Sequence, residues 1–497
     1  MSSRLEWWLV ATLLTGLIGI RAWPFLAWSG VHFDSDQAIV GLMAKHIAEG
    51  RAFPLFFYGQ TYMLAVEAWL AAPVVAIAGA TVAAVKLPLF ALNVAVALLL
   101  THLVSRELRL RSALCALVAL PLALPPGGVA ARVLEANGGN VEPWLYVLLL
   151  WMLRRRPWAF GVLLGVAALH REFSLYGAVA IFALDLVHGR MRSRERVSFW
   201  TVAAIAAVAV RTAVSAILPF SSIFGPGTNG SSASVTQSKL DAVGARLCFA
   251  PEQWLDRAHA ITSAHLPLLY GGVERPLAHY GVHTDVIAGH AWVTPVVVTL
   301  VASGIVCGVW TLAKTRGARH PAPPATSHEL GWYLVLVGVS SIAGYGLANC
   351  NPIDILTLRY DLLAMMVPVG AVALALSSPA HTIVKVVIGL AVVLWAAANL
   401  RDINGVTWQY RHAEPADMRQ IAADVLVARG VPAAWAEFRI AYHISYLSRE
   451  RIKVAASDVG RIDEYAELAR APGTPTIAGV ACAKGQEIAI GVYLCPP

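Results

Sequence analysis

Charged residues are scarce in this chain of 497 residues. Only 14% of the residues are Asp, Glu, Lys or Arg, whereas about 25% is usual for a soluble protein. Hydrophobic residues make up 58% of the chain, and the mean hydropathy is +0.63. This composition excludes a disordered chain and argues against an ordinary soluble enzyme. It predicts a polytopic membrane protein with substantial parts outside the membrane.

Several motifs of common function classes are also missing. The sequence contains no Walker A motif, no GxSxG elbow and no paired metal-site cysteines, which argues against ATP-driven transport and serine hydrolysis. It has no basic domain or stripe of the kind that binds nucleic acid, so no nucleic-acid partner is predicted. Six cysteines do not form a disulfide scaffold. No two-halves repeat typical of many transporters is present.

Basic residues form four short clusters between apolar runs, and these clusters determine the predicted topology. Positively charged loops stay on the cytoplasmic side of a membrane, so all four are predicted to be cytoplasmic. They are Arg106, Arg109 and Arg111; Arg154, Arg155 and Arg156; Arg190, Arg192, Arg194 and Arg196; and Lys314, Arg316 and Arg319. The apolar segments predicted as spans are residues 7–25, 86–104, 112–126, 143–153, 157–169, 173–188, 197–218, 291–312, 331–348, 362–376 and 384–400. The predicted fold class is therefore an α-helical polytopic membrane protein of about 11–12 transmembrane helices.

One more apolar stretch, residues 62–79, breaks the parity of this count. If it crossed the membrane, every later basic cluster would be placed outside. We therefore predict that it lies in the membrane surface or re-enters from the outer side. The alternative is twelve spans with a cytoplasmic loop near Lys86. The first apolar segment is interpreted as an uncleaved span rather than a signal peptide, because no clear small-residue cleavage site follows it.

This topology predicts two parts. Residues 1–400 form the transmembrane domain, with external loops at 27–79, 127–142, 219–290 and 349–361, and residues 401–497 form a small external α/β domain. In that domain helices are predicted over 418–429 and 438–447, and strands over 451–456 and 488–493. Cys482 and Cys495 also lie there, on the oxidising side of the membrane, and are candidates for a disulfide.

The first external loop carries the most informative segment, which reads HFDSDQAIVGLMAKHIAEG over residues 32–50. Helical spacing of its apolar residues predicts an amphipathic helix along the membrane surface, with Asp36 as N-cap and Gly50 as C-cap. A carboxylate in this position can deprotonate an acceptor hydroxyl that attacks a sugar carried on a lipid phosphate. The alternative is structural: Asp36 only caps the helix and Asp34 is a solvated loop acid.

This loop resembles the GT-C superfamily of polyprenyl-phosphate-sugar-dependent glycosyltransferases, closest to the bacterial branch of protein mannosyltransferases and lipid A aminoarabinose transferases. That branch has an Asp-Glu pair after its first span, a GL-x-A-x-x-I-x-x-G helix and an F-x-YGQ-x-Y-x-x-x-EA segment. Here the matching residues are Asp36-Gln37, GLMAKHIAEG at 41–50 and FFYGQTYMLAVEA at 56–68. The match covers residues 32–70 and is weaker through the later spans. Gln37 stands where the family has Glu.

The resemblance implies Asp36 as the general base, with Asp34 sharing or taking that role. It also implies contacts to donor or acceptor from the aromatic loop, which contains Tyr58, Gln60 and Tyr62, and from Glu67. GT-C proteins carry a second polar or acidic site in the next external loop. There Glu135 is a candidate to hold the acceptor or a metal, and a plain loop acid is the alternative.

Further candidates lie near the ends of the later spans. His170, Arg171 and Glu172 form an outer turn that can contact a sugar or phosphate, or else a solvated turn with a local ion pair. Arg211 lies inside a predicted span, where it either holds the lipid phosphate or snorkels outward. Arg359 and Tyr360 belong to a segment that resembles the RY-x-L-P-like segment of GT-C chains. Arg359 is suited to bind a phosphate through two hydrogen bonds, and the alternative is a cation that anchors a span end.

Together these features predict an inverting glycosyltransferase of a bacterial inner membrane. It would move a hexosyl or pentosyl group from a polyprenyl-phosphate donor to a lipid, polysaccharide or protein acceptor on the periplasmic side. The alternatives are a non-enzymatic transporter or flippase for lipid-linked glycans and an inactive GT-C protein that only binds them. No cofactor is required. A divalent metal has no support, because the spacings of His259, His265, His279, His283 and His290 fit no standard ligand pattern.

Overall fold

The computed structural model describes residues 3–228, 251–273, 275–276, 286–287, 289–317, 328–348, 353 and 357–496. It confirms a helical membrane bundle with a small C-terminal α/β domain. The α-helices before the long external loop are α1 (Ser3–Ala27), α2 (Ser35–Ala48), α3 (Val66–Ala78), α4 (Val82–Leu108), α5 (Ser112–Ala123), α6 (Gly127–Arg132), α7 (Glu142–Leu153), α8 (Pro157–His170), α9 (Leu175–Val187) and α10 (Arg194–Ile217). Those that follow are α11 (Trp254–Ala260), α12 (Leu266–Tyr270), α13 (Val293–Gly317), α14 (Glu329–Ala348), α15 (Met366–Ser377), α16 (Thr382–His412), α17 (Met418–Ala428), α18 (Phe438–Leu447) and α19 (Asp463–Ala469).

Seven helices in the described part of the chain are long and apolar enough to cross a membrane. They are Arg4–Ala27, Val82–Leu108, Arg194–Phe220, Val293–Lys314, Glu329–Leu347, Thr357–Ser377 and Thr382–His412. Each remaining predicted span coincides with one of the shorter helices α5, α7, α8 and α9. Helices form throughout because a lipid environment offers the backbone no other hydrogen-bond partner. Successive helices therefore run between two faces of the bundle.

One face, which we call the loop face, carries residues 28–65, residues 124–141 and the C-terminal domain. The opposite face, which we call the arginine face, carries the ends of the helices near Arg154, Arg190 and Arg196. Helix α3 begins and ends on the loop face. At its start Glu67 accepts hydrogen bonds from the loop 133–141. Just beyond its end Thr81 O accepts from Tyr446 of the C-terminal domain at 2.9 Å.

Lys86, in the first turns of α4, also lies on the loop face. Its Nζ donates a 2.6 Å hydrogen bond to the carbonyl oxygen of His32, in the loop between α1 and α2. The twelve-span alternative places Lys86 near a loop on the opposite face and is therefore wrong. Helix α3 keeps both of its ends on the loop face, as the two predicted arrangements, a surface position and re-entry from the outer side, both require.

The C-terminal domain contains a five-stranded sheet with the order β4-β3-β5-β7-β6. Its strands are β3 (Ala433–Ala436), β4 (Lys453–Ala456), β5 (Thr476–Ala478), β6 (Gln486–Ala489) and β7 (Val492–Cys495), and the short strands β1 (Arg275–Pro276) and β2 (Val286–Ile287) pair with each other elsewhere. Strand β3 pairs in parallel with β4 and β5, and β7 pairs in antiparallel with β5 and β6. Cys482 and Cys495 form the expected disulfide.

Two elements in this region differ from their predicted bounds. Helix α16 continues to His412, so residues 401–412 extend from the bundle and the compact domain begins near Met418. A single strand was predicted over 488–493, whereas the chain turns between β6 and β7. Gly491, with φ +70°, lies in that turn and adopts a conformation that other residues rarely reach.

A buried carboxylate fixes the C-terminal domain to the surface helix α2. Glu450 accepts hydrogen bonds from Lys45 at 2.5 Å, from His46 Nε2 at 2.9 Å and from Tyr465 at 2.8 Å. Arg51 adds an ion pair at 3.0 Å. Burial alone would raise the pKa of Glu450, but the bonds from His46 and Lys45 hold it well below its usual value. The negative charge is therefore matched by several donors in α2 and the loop after it.

Glu450→Gln is expected to loosen this contact. Removing one partner of a buried ion pair costs about 3–5 kcal/mol, because the remaining charges stay buried without compensation. We expect a lower melting temperature and faster amide hydrogen exchange over residues 35–48. Glu464→Gln is the matched control, since Glu464 pairs with Arg51 and Lys453 but its side chain is 30% exposed. The variant Glu464→Gln should change stability by less than about 1 kcal/mol. Equal effects of the two substitutions would contradict the role given to Glu450.

Candidate active site on the loop face

Helix α2 begins two residues earlier than predicted, and this changes the roles of the two acids at its start. Asp34 is the N-cap: its Oδ1 accepts a 2.8 Å hydrogen bond from the backbone N–H of Gln37. Asp36, the predicted cap, lies within the first turn instead. Its carboxylate is therefore not used by the helix terminus, and its side chain is 34% exposed.

Asp36 faces a cation from a distant part of the chain. The Oδ2 atom of Asp36 lies 3.6 Å from Nη1 of Arg359. Arg359 lies in a 3₁₀ segment, Thr357–Met365, that leads into α15. Its Nη2 donates to the hydroxyl of Tyr360 at 3.2 Å. A partly exposed carboxylate and a guanidinium thus lie side by side on the loop face. Such a pair suits a reaction in which the carboxylate accepts a proton and the guanidinium stabilises an anionic leaving group.

Asp34 is buried beside this pair. Burial, followed by the negative charges of Asp36 and Glu135, raises the pKa of Asp34 to about 7. The N–H of Gln37 and the charge of Arg359 act in the opposite direction. The alternative that Asp34 is a solvated loop acid is therefore wrong. A buried carboxyl that titrates near neutrality beside an exposed one is typical of catalytic sites.

Asp34→Asn is expected to flatten the dependence of stability on pH. Burial raises the pKa of Asp34 from its usual 3.8 to about 7 in the folded chain, so the folded state binds more protons between these values. Stability therefore falls as the pH rises through this window. Asn keeps the N-cap and does not titrate. Between pH 5 and 8 the melting temperature should fall less in this variant than in the wild type. Asp424→Asn, an exposed acid in α17, should keep the wild-type slope, and an unchanged slope in Asp34→Asn would contradict the prediction.

The loop 133–141 places a third acid near the first two. Glu135 is buried and forms a 2.7 Å ion pair with Arg132 and a 3.3 Å hydrogen bond with Asn137. The negative charge of Glu135 raises the pKa of Asp34. The carboxyl groups of Glu135 and Asp34 also interact electrostatically with the buried ammonium group of Lys86. Glu135 is therefore part of the same electrostatic cluster rather than a plain loop acid.

Glu67 holds the same loop in place. Its two carboxylate oxygens accept hydrogen bonds from the backbone N–H groups of Gly138, at 2.6 Å, and Gly139, at 2.7 Å. Both glycines have positive φ, and a Cβ atom at Gly138 would lie 2.3 Å from the sulfur of Met63. Only glycine fits both the backbone conformation and the space. The structure thus gives Glu67 a supporting role for the loop, because its oxygens are engaged by backbone donors.

The predicted turn at 170–172 is folded into the site. His170 and Arg171 are buried, which overturns the alternative of a solvated turn. The hydroxyl of Tyr146 lies 2.9 Å from Nδ1 of His170, and Arg171 donates to the carbonyl oxygen of Asn137 at 3.0 Å. Arg171 also interacts with the charges of Glu172, Arg359, Glu67 and Tyr360. The turn therefore connects the loop 133–141 with the Arg359 segment.

Several buried polar atoms of these segments have no hydrogen-bond partner within the described chain. Proteins rarely leave such atoms unsatisfied, and those that occur call for an explanation such as a bound ligand or water. They include Ser35 Oγ, Gln37 Oε1, Asn137 Oδ1, Asn140 Oδ1, Arg171 Nε and Arg359 Nε. Donors and acceptors are both present. A ligand rich in hydroxyl and phosphate oxygens can satisfy both kinds.

Four predicted residues lie apart from this centre. The hydroxyl of Tyr58 is buried and pairs with His46 at 3.0 Å, so it supports the contact with the C-terminal domain. Gln60 and Tyr62 are half-buried in the aromatic loop. Arg211 is exposed on α10, and the structure shows no hydrogen bond or ion pair from it among the described residues.

Lys86 and Asp361 are two buried charged residues close to the site that were not predicted from the sequence to belong to it. Asp361 is fully buried and accepts from Ser341 at 2.7 Å and from His265 Nε2 at 3.2 Å. It thereby positions the segment that carries Arg359. The available signal was a single charged residue inside an apolar run, which usually marks a functional position in membrane proteins.

The five histidines considered for zinc do not come together in the described residues. His265 pairs with Asp361, and His290 pairs with Asp402 at 2.9 Å. His279 and His283 lie outside the described residues, as do residues 229–250, the rest of 277–285, and residues 349–352 and 354–356. Within the described ranges no group of three or more His, Cys, Asp or Glu side chains is placed to hold a metal ion.

Comparison with known proteins identifies the fold. Among solved structures the chain matches ArnT from Cupriavidus metallidurans bound to undecaprenyl phosphate, with 9% identity and a TM-score of 0.54 over 99% of this chain and 98% of that one. It also matches ArnT from the same organism in the apo state, with 11% identity and a TM-score of 0.41 over 100% and 98% of the two chains. No family model and no curated protein sequence matches. ArnT is an aminoarabinose transferase of the GT-C type. The first of these matches spans nearly the whole of both chains, and the protein therefore has the fold of the GT-C membrane glycosyltransferases.

Proposed function

We propose that the protein is an inverting glycosyltransferase that moves a sugar from a polyprenyl-phosphate donor to an acceptor of the cell envelope. The observation that carries this proposal is the pairing of an exposed carboxylate, Asp36, with Arg359 at 3.6 Å on the loop face. A base and a phosphate-binding cation are the two groups that the reaction needs. The GT-C fold and the undecaprenyl phosphate bound to the ArnT neighbour support the same donor class.

The proposed reaction is a single displacement. The acceptor hydroxyl attacks the anomeric carbon while Asp36 takes its proton. The bond between that carbon and the phosphate oxygen breaks, and the polyprenyl phosphate leaves with the electron pair. Negative charge grows on the phosphate as the bond breaks, and Arg359 stabilises it. The configuration of the anomeric carbon is inverted, because the hydroxyl enters opposite to the leaving phosphate.

The other polar groups of the site have supporting roles in this proposal. Glu135, whose charge acts on Asp34, is proposed to contact the sugar or the acceptor. The same role is proposed for the turn formed by His170, Arg171 and Glu172, since the charge of Arg171 interacts with that of Arg359. Asp34 is proposed to share the proton with Asp36, since it is buried beside it and titrates near neutrality. We place the site on the periplasmic side of a bacterial inner membrane, because the basic clusters lie on the opposite face of the bundle.

The test is transfer of radiolabelled sugar by the purified protein in lipid, with polyprenyl-phosphate sugars as donors and cell-envelope fractions as acceptors. Label in a lipid, polysaccharide or protein product, with inverted configuration, is the expected result. Binding of the donor lipid without transfer to any of the three acceptor classes would contradict the enzyme and favour a binding protein. The binding-protein alternative is considered for this chain because Gln37 stands where the family has Glu. Movement of intact donor lipid between leaflets would instead indicate a flippase.

A further inference from the structure

The arginine face contains a cavity of about 400 Å³ that has no part in the proposed reaction. It opens where α7, α9 and α10 end or begin, on the side of the bundle opposite to Asp36 and Arg359. Its polar lining consists of Trp151, Arg154, Arg155, Arg190, Arg196 and Glu329. Four guanidinium groups thus meet around one space at the predicted cytoplasmic surface of the membrane.

Three of these arginines are held in place by acids. Arg154 forms a 2.8 Å ion pair with Glu107 and stacks on the ring of Trp151, 4.1 Å from its centroid. Arg196 and Arg190 both pair with the buried carboxylate of Asp185. Arg190 also pairs with Glu329. Three of the four arginines of the cavity wall are therefore positioned by carboxylates, and Arg155 is the exception.

Two donors of the cavity wall remain without a partner within the described part of the chain. Arg155, which is exposed, has no ion pair or side-chain hydrogen bond there, so the four arginines carry one more charge than the three acids that pair with the other arginines. Trp151 is 98% buried, and its Nε1–H has no acceptor. Both groups can only donate. A ligand that satisfies them must carry acceptors and negative charge.

We propose that this cavity is an anion site for a phosphate group, separate from the glycosyl-transfer site. Guanidinium groups bind phosphate through two parallel hydrogen bonds, and basic pockets between membrane helices on the cytoplasmic side bind anionic headgroups. The volume lies within the range of small-molecule pockets and exceeds what a single phosphate fills. The ligand is a phosphodiester headgroup of a membrane lipid or a free phosphate compound. The inference does not depend on the proposed transferase activity.

The test uses the full-length protein in an uncharged detergent and measures binding by calorimetry. The probes are dioctanoyl phosphatidylglycerol, dioctanoyl phosphatidylcholine and inorganic phosphate. We expect the phosphatidylglycerol to bind at least about tenfold more tightly than the phosphatidylcholine. Saturation by inorganic phosphate with similar affinity would assign the site to free phosphate compounds. Saturation by phosphatidylglycerol alone would assign it to a lipid headgroup.

Two substitutions separate a built site from general surface charge. Arg155→Gln should weaken phosphatidylglycerol binding about fivefold, the effect of one cation near an anionic group. Trp151→Phe keeps the ring under Arg154 and removes the N–H, and should weaken it about five- to tenfold. Arg192→Gln is the matched control: Arg192 is an exposed arginine of the same face, outside the cavity lining. Equal weakening by Arg155→Gln and Arg192→Gln, or equal binding of the two lipids, would overturn the proposal.

Discussion

Asp36→Asn is expected to lower the rate of sugar transfer by about 10²–10⁴-fold, which is the contribution of a general base. Asn has the same shape as Asp but does not accept a proton from the acceptor hydroxyl. The protein should still fold, because Asp36 is partly exposed and does not cap the helix. Donor binding should therefore persist while turnover is lost. The measurement is transfer of labelled sugar under saturating donor, with donor affinity determined separately.

Asp34→Asn is the matched comparison for this experiment. Both substitutions remove one carboxylate from the same turn, and Asn at position 34 preserves the cap. We expect Asp34→Asn to retain more activity than Asp36→Asn and to change the pH profile near neutrality, since Asp34 titrates there. If Asp34→Asn is the inactive variant and Asp36→Asn retains its rate, the base is Asp34. If both retain the wild-type rate, the carboxylate mechanism is wrong.

The different positions of these two acids could not be predicted from the sequence. Asp34 and Asp36 are equally good cap residues and stand two positions apart, so spacing alone allows either to begin the helix. The choice depends on the path of the chain after α1, where His32 O is held by Lys86 at 2.6 Å and by Gln37 Nε2 at 3.2 Å. The first of these contacts is long-range. The helix consequently begins at Ser35, which leaves Asp36 available to Arg359.

The bundle itself was largely predictable, because a membrane restricts the chain to helices and orients them by charge. Each of the eleven predicted spans coincides with a helix. The sequence signal was weaker outside the membrane. There the helix α16 continues twelve residues past the predicted domain boundary at 400. A hairpin was also interpreted as one strand because the apolar pattern continues across Gly491. A glycine inside a strand pattern is a known sign of such a break.

Contacts between distant segments account for the rest of what was missed. His46 and Glu450 are separated by 404 positions, and neither residue type nor spacing links them. The same holds for His265, which bonds Asp361 in the segment of Arg359 from 96 positions away. Arg359 and Asp36 were each predicted from local motifs, but the ion pair between them was not. A single sequence identifies chemically suitable groups more readily than it identifies which of them meet.

Arg359→Gln is expected to reduce kcat/KM for the donor by about 10²–10³-fold, the usual cost of losing one group that stabilises charge in a transition state. Arg359→Lys keeps the charge but loses the planar pair of donors, so an intermediate loss of about tenfold is expected. Arg211→Gln is the matched control, since it removes the other arginine considered for the phosphate. Arg211 is exposed on α10, away from the Asp36–Arg359 pair, and its loss should change the rate less than about twofold.

The division of the Arg359 effect between kcat and KM tests how this residue acts. The donor phosphate is already negatively charged before reaction, and its charge increases when the bond to the anomeric carbon breaks. A cation that mainly serves the transition state therefore affects kcat more than KM, whereas one that only anchors the donor raises KM alone. We expect the fall in kcat to exceed the rise in KM. An unchanged kcat with a raised KM would reduce Arg359 to an anchor, and equal losses in Arg211→Gln and Arg359→Gln would contradict the geometry of the pair.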